Sequence, residues 1–185
     1  MNIIAETLEV LKSGGSICYP TDTVWGLGCD AQDIDAVSQI YKIKNRASSK
    51  SLIVLVSDLN MLNQYVEKIP KQLDEILSKS NRPISVIYPK AKNLASNVIA
   101  QDGSVAIRIV QDDFCKELIE KFGSPIVSTS ANISGEPTPT CYKEISPLVL
   151  DKVNYIVNLR LEEINTQSSK IIRLLEDGQI EVIRE

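Results

Sequence analysis

Three cations within seven residues, Lys44, Arg46 and Lys50, stand in the stretch KIKNRASSK among small serines. Closely spaced cations beside small side chains suit a polyphosphate, because ammonium and guanidinium donors can then converge on its oxygens. The dipole of a preceding helix accounts for Lys42 and Lys44 at its end, but not for Arg46 and Lys50 beyond it. A second candidate is PIVSTSANISGEPTPT, residues 125–140, where an apolar strand runs into Ser128, Ser130 and Asn132. Ligands of open α/β sheets gather at the carboxyl ends of strands, although polar loops after strands are also common without any ligand. A third is YPTDTVWGLGCDA, residues 19–31, a hydroxyl-rich turn followed by what reads as a flexible glycine pair. Arg108 in VAIRIV shares a strand face with Ala106 and Val110, and either faces solvent or reaches into a cleft.

Several chemistries are excluded. The chain has no histidine, which rules out Ser-His-Asp and Cys-His catalysis and imidazole-ligated metals within it. Gly26-Leu27-Gly28-Cys29-Asp30-Ala31 matches a dinucleotide fingerprint formally, but no helix opens on the glycines and no acid follows about 20 residues on. The cations of residues 42–50 lack the G-x-x-x-x-G-K-[ST] pattern of a P-loop. Cys18, Cys29, Cys115 and Cys141 are scattered, which suggests neither a zinc site nor a disulfide framework and fits a reducing cytoplasm. No apolar run approaches the ~20 residues that span a bilayer.

The elements that must position these residues belong to an ordinary globular composition, with 185 residues, 43% of them hydrophobic, and a net charge of −4. That charge argues against coating nucleic acid indiscriminately. Residues 36–57 and 76–101 nevertheless contain no acid, and together hold eight of the 20 cations. If the two windows meet in space they form an anion-binding surface; otherwise they are solvated faces. Helical periodicity is read over 3–12, 33–44, 70–79 and 112–123, with Ile34, Val37, Ile40 and Tyr41 on one face of the second and Pro70 in the first turn of the third. Strands are read in 16–20, 51–57, 84–89, 105–110 and 125–130, and a hairpin over 171–184 around Asp177-Gly178. Alternating strands and helices that end in a hairpin predict one α/β domain, residues 1–185, with a mixed sheet.

YPTDTVWGLGCDA, then Lys44-Asn45-Arg46, then VAIRIV, then STSANISGEP resemble, in this order, the YrdC-like threonylcarbamoyl-adenylate synthases from about Ser16 to Arg184. The resemblance implies a single domain whose twisted parallel and antiparallel sheet, with flanking helices, lines a concave basic cavity. It implies synthesis of threonylcarbamoyl-AMP and pyrophosphate from L-threonine, bicarbonate and ATP, with Mg2+ on the triphosphate. Partner proteins would pass the threonylcarbamoyl group to an adenosine beside the anticodon of certain tRNAs. Carried over by position, Lys44, Arg46, Ser130 and Asn132 surround the nucleotide. Lys50, Ser104, Thr138 and Arg184 join Arg46 and Ser130 in holding ATP, and Thr23, Arg108, Ser128 and Ser169 hold threonine. Trp25 stands where the family usually has tyrosine, and NRPISVIYP lacks the glycine of the usual segment. The rival readings are a paralogue that binds tRNA or double-stranded RNA through the basic concavity, and an enzyme that passes a carbamoyl group to another acceptor.

Overall fold

The structure is a computed structural model and describes residues 2–47, 51–175 and 179–185. In chain order its elements are α1 (Ile3–Lys12), β1 (Ile17–Tyr19), β2 (Gly26–Gly28), α2 (Ile34–Lys44), β3 (Ile53–Val56), α3 (Leu59–Tyr65), α4 (Leu73–Ser78), β4 (Ile84–Tyr88), β5 (Val105–Ile109), α5 (Asp113–Phe122), β6 (Ile126–Ser130), a short 3-10 turn (Tyr142–Glu144), α6 (Pro147–Leu150), β7 (Tyr155–Ile156), β8 (Lys170–Leu174) and β9 (Ile180–Arg184). The strands form one mixed sheet in the order β7-β1-β2-β6-β3-β5-β4-β8-β9. The pairs β1–β7, β3–β5 and β4–β8 are parallel, and the others antiparallel.

Helices cover both faces, which explains the unbroken apolar run of β3. Val54 and Val56 pack with Val37 and Ile40 of α2 in one core. Leu55, pointing the other way, packs with Ile4 and Leu11 of α1 and Leu118 of α5 in a second. A strand covered on both sides gains from apolar residues at every position, so alternation disappears. The helices are capped locally. Asn2, Asp33, Asp58 and Asp112 each accept a backbone N–H at a helix start, a contact worth about 1 kcal/mol apiece.

The expected helices 3–12 and 112–123 and the expected strands are present, and so is the C-terminal hairpin, whose turn at Asp177-Gly178 lies outside the described residues. Three readings change. Ile34 opens α2 directly after its cap and is 51% exposed, so it does not join Val37, Ile40 and Tyr41 on the buried face. Pro70 precedes α4: its carbonyl accepts from Leu73, and the helix begins there. Helix α3, short and capped by Asp58, had not been expected.

The glycine pair is a further correction. Gly26 and Gly28 are strand residues in β2, between β1 and β6, and their bare faces lie against the ring of Tyr19. A Cβ on Gly28 would sit 2.7 Å from Tyr19 Cε1 and 2.8 Å from the Val127 carbonyl oxygen; on Gly26 the nearest atom would be 3.2 Å away. These glycines therefore provide close packing. Gly28→Ala should lower unfolding free energy by about 1–3 kcal/mol, as overpacking does, and Gly26→Ala by less. Urea unfolding of both variants checks the order, and an unchanged midpoint for Gly28→Ala would refute the packing account.

Candidate active site

The sheet face that α1 and α5 leave open forms a cavity of about 310 Å3. Its walls come from many strands: Gly26, Ile53, Ile87, Ala106 and Arg108, Ser128 and Ser130, Ile171, and Ile183 with Arg184. Its charged lining among the described residues is Arg46, Arg108 and Arg184, with no carboxylate. Of the residues expected at the site, Thr23, Arg46, Arg108, Ser128, Ser130, Thr138, Ser169 and Arg184 line this one cavity. Trp25 also lines it, its indole set against Tyr142 with ring centroids 5.3 Å apart.

Asn45 divides the K-x-R pair. It caps α2 in the left-handed conformation (φ 48°), which turns the chain between Lys44 and Arg46. Arg46 goes to the cavity, where Nη2 donates to the Ser51 carbonyl at 2.9 Å. Lys44 goes inward and is 1% exposed. Its Nζ donates to the Ser130 carbonyl, to the Asn132 carbonyl at 2.8 Å and to Asn132 Oδ1 at 3.3 Å. Asn132 also accepts the Ser130 hydroxyl proton at 2.6 Å, and its Nδ2 donates to the carbonyls of Ile133 and Glu136. Lys44 and Asn132, expected around the nucleotide, thus brace the loop after β6 from behind, and Ser130 forms the cavity wall.

Arg108 lies on the cavity side of β5 and is 3% exposed, which settles the choice between solvent and cleft. Its Nη2 is 2.9 Å from Oδ1 of Asp22, itself 8% exposed. The contact is ionic but poorly aligned, so Nη2 and Nε of Arg108 have no hydrogen-bond partner. Asp22, Thr21 and the glycine packing are functional or supporting features that the sequence reading did not assign. The alternating Thr-Asp-Thr pattern was their only signal. On the far wall Arg184 donates through Nε and Nη2 to the Ser169 carbonyl, and Ser169 shares a 2.9 Å hydroxyl contact with Ser85. Burial first, then the charges of Arg108 and Arg82, pull the Arg184 guanidinium below its ordinary range.

One expected ATP contact, Ser104, is not among the residues lining this cavity. Ser104 sits in a separate hollow with Asp102 and Arg173, where its hydroxyl and backbone N–H both bond the Asp102 carboxylate. Lys50 lies outside the described residues. A larger hollow of about 540 Å3, lined by Glu67, Lys68, Lys71, Tyr88 and Lys90 among others, contains none of the expected residues.

Burial, with the charge of Arg46 adding to it, pushes the Lys44 ammonium down to about 7 from its ordinary 10.5. Below pH 7 folded and unfolded chains both hold this proton. From pH 7 upward the folded chain releases it and the unfolded chain keeps it, so stability rises with pH. The buried thiols, Cys18 among them (pushed up to about 12), act in the opposite sense only above the ordinary thiol range. Between pH 7 and 8.5, wild type should therefore gain about 1–2 kcal/mol relative to Lys44→Met in urea unfolding. A constant difference between the two proteins would contradict this role for Lys44.

Residues 9–185 match the family model described as telomere recombination, Sua5/YciO/YrdC. The chain is 37% identical over 172 residues to a protein of Pseudoalteromonas translucida named threonylcarbamoyl-AMP synthase, covering 91% of each chain. Among solved structures it resembles P. abyssi Sua5 carrying H234A/Y235A, with a TM-score of 0.87 and 26% identity. That likeness takes in the whole of this chain and 57% of the other, so this chain spans little more than half the length of Sua5. P. abyssi Sua5 complexed with L-threonine is similar at a TM-score of 0.82 and 27% identity, over 92% of this chain and 50% of that one. Fold, motif order and sequence identity agree, and the chain belongs to the Sua5/YciO/YrdC family.

Proposed function

We propose that the chain is an L-threonylcarbamoyladenylate synthase, a nucleotidyltransferase that converts L-threonine, bicarbonate and ATP to threonylcarbamoyl-AMP and pyrophosphate. The observation that carries this reading is the cavity lined by Arg46, Arg108 and Arg184, with no carboxylate among its described residues, in a chain whose relatives bear that name. Its volume of about 310 Å3 is on the scale of small-molecule sites. A duplex needs an extended basic surface instead, which favours the synthase over the RNA-binding reading.

The chemistry requires no imidazole. Bicarbonate takes up a proton and loses water to give carbon dioxide, and threonine's neutral amine adds to that, forming the N–C bond of a carbamate and releasing a proton. A carbamate oxygen then attacks the α-phosphorus of ATP, and the bond to the bridging oxygen of pyrophosphate breaks. Positioning and charge neutralisation dominate such transfers. Arg108 would take the threonine carboxylate, with Thr23, Ser128 and Ser169 nearby, while Arg46, Ser130, Thr138 and Arg184 would hold the nucleotide. Among the described residues no group of Cys, Asp or Glu could hold a metal, so magnesium would enter on the triphosphate as part of the substrate. The product would pass to partner proteins that modify tRNA, in the cytoplasm.

Pyrophosphate release from MgATP and bicarbonate tests the reading, and it should require L-threonine, with serine and alanine as poor replacements. No release from folded protein would overturn it. Arg46→Ala should lower kcat/KM about a hundredfold or more, because a positioned cation is removed from the developing charge. Its melting temperature should stay near that of wild type, since a half-buried loop cation contributes little to stability.

A further inference from the structure

Proton counting at the Thr21-Asp22-Thr23 turn fixes the polarity of the cavity wall. The Thr21 hydroxyl lies 2.8 Å from the Val24 carbonyl oxygen, 3.0 Å from Thr23 Oγ1 and 3.0 Å from the Thr23 backbone N. A carbonyl can only accept, so the one Thr21 proton goes to Val24. The Thr23 N–H donates to Thr21 Oγ1, which uses one lone pair. The contact between the two hydroxyls must then run from Thr23 to Thr21, which uses the other. Every donor and acceptor site of Thr21 is filled, and the Thr23 proton is committed to it. Thr23, 6% exposed and on the cavity wall, is left with lone pairs only.

We infer that Thr21 is a positioning residue for the amino-acid subsite: it holds Thr23 as a pure hydrogen-bond acceptor, so that Thr23 takes an N–H or O–H of the substrate. The donor-only guanidinium of Arg108 lines the same cavity; its Nη2 is ion-paired with Asp22, and neither Nη2 nor Nε makes a hydrogen bond. An acceptor at one point and a donor at another complement the two ends of an α-amino acid, whose amine gives a proton and whose carboxylate takes one. Were Thr21 unable to accept, the Thr23 hydroxyl would turn its own proton to the cavity and oppose a substrate donor. This inference deepens the proposed function and rests on it.

The test is a set of turn variants assayed for L-threonine binding by calorimetry and for KM of threonine and of ATP. Thr21→Val should weaken threonine about tenfold or more, the size expected when a buried donor loses its acceptor, and leave the KM for ATP within about twofold. Thr21→Ser, which keeps the hydroxyl, should restore threonine binding. Thr21→Val combined with Thr23→Val should bind threonine no worse than Thr23→Val alone, because the first residue acts through the second. With 2-aminobutyrate, which lacks the side-chain hydroxyl, a persisting Thr21→Val penalty identifies the substrate amine as the donor; a vanished penalty identifies the hydroxyl. Additive losses in the double variant, or equal losses for threonine and ATP, would overturn the inference while the proposed function stands. Wild type that binds no amino acid would overturn both.

Discussion

The buried ammonium of Lys44 is the contact on which the site depends. It joins the last turn of α2 to the chain leaving β6 by donating to three oxygens of Ser130 and Asn132. The Lys44 carbonyl in turn accepts from Ser134 N at 2.7 Å, so the lysine grips the loop with both backbone and side chain. Taking an ammonium out of water costs several kcal/mol, and acceptors offset part of that, the remainder showing as the lowered Lys44 pKa. The loop supplies the acceptors from two carbonyls and one amide oxygen. Its shape is then determined at both ends, with Asn132 Nδ2 closing on the carbonyls of Ile133 and Glu136. Ser130 and Thr138, on either side of this braced segment, both line the cavity.

A second constraint is how three guanidiniums coexist beside an apolar sheet when only one of them faces a carboxylate. Arg184 is held by the Ser169 carbonyl and Arg46 by that of Ser51; behind the wall, Arg82 is held by the carbonyl of Ser168. A carbonyl oxygen orients a guanidinium and leaves its charge uncancelled, whereas a carboxylate would cancel it. Arg108 alone faces an acid, Asp22, and that contact is not aligned as a hydrogen bond. In a chain of net charge −4, the cavity lining among the described residues thus holds three guanidiniums and no carboxylate, with Asp22 in contact with one of them. The cations that the sequence concentrates in two acid-free windows only partly converge. Arg46 reaches the wall and Arg82 stands behind it, but Lys90 lines the separate, larger hollow.

The fold was legible where pattern and burial coincide. α1 and α5 carry caps and a single apolar face; α1 was readable to the residue, and α5 with its two capping residues counted in. β3 was readable from its apolar run, although the run alone could not say that two cores share it. α3 was missed because seven residues are too few for periodicity, and its capping Asp58 is a common residue. Ile34 was misplaced because the first turn of a helix answers to its cap before its face. At the site, residue types were legible and roles were not. K-x-R spacing says that two cations are close in sequence, but the left-handed Asn45 between them sends one inward and the other outward. Ser104, expected at ATP from the family resemblance, bonds Asp102 two residues earlier and lines another hollow.

The opening motif shows most sharply how recognition can be built from residues that never meet a ligand. Within YPTDTVWGLG, Thr23, Val24, Trp25 and Gly26 line the cavity. The rest act on them. Tyr19 lays its ring where Gly26 and Gly28 have no side chains, which sets β2 close against β1 and carries the Thr23 wall with it. Thr21 fixes the direction of the Thr23 proton, and Asp22 reaches across to Arg108. A single hydroxyl can donate or accept toward a ligand, and the atoms behind it decide which. Specificity for a substrate donor therefore originates one layer beneath the surface that the substrate touches, in a turn whose own hydrogen bonds are already complete.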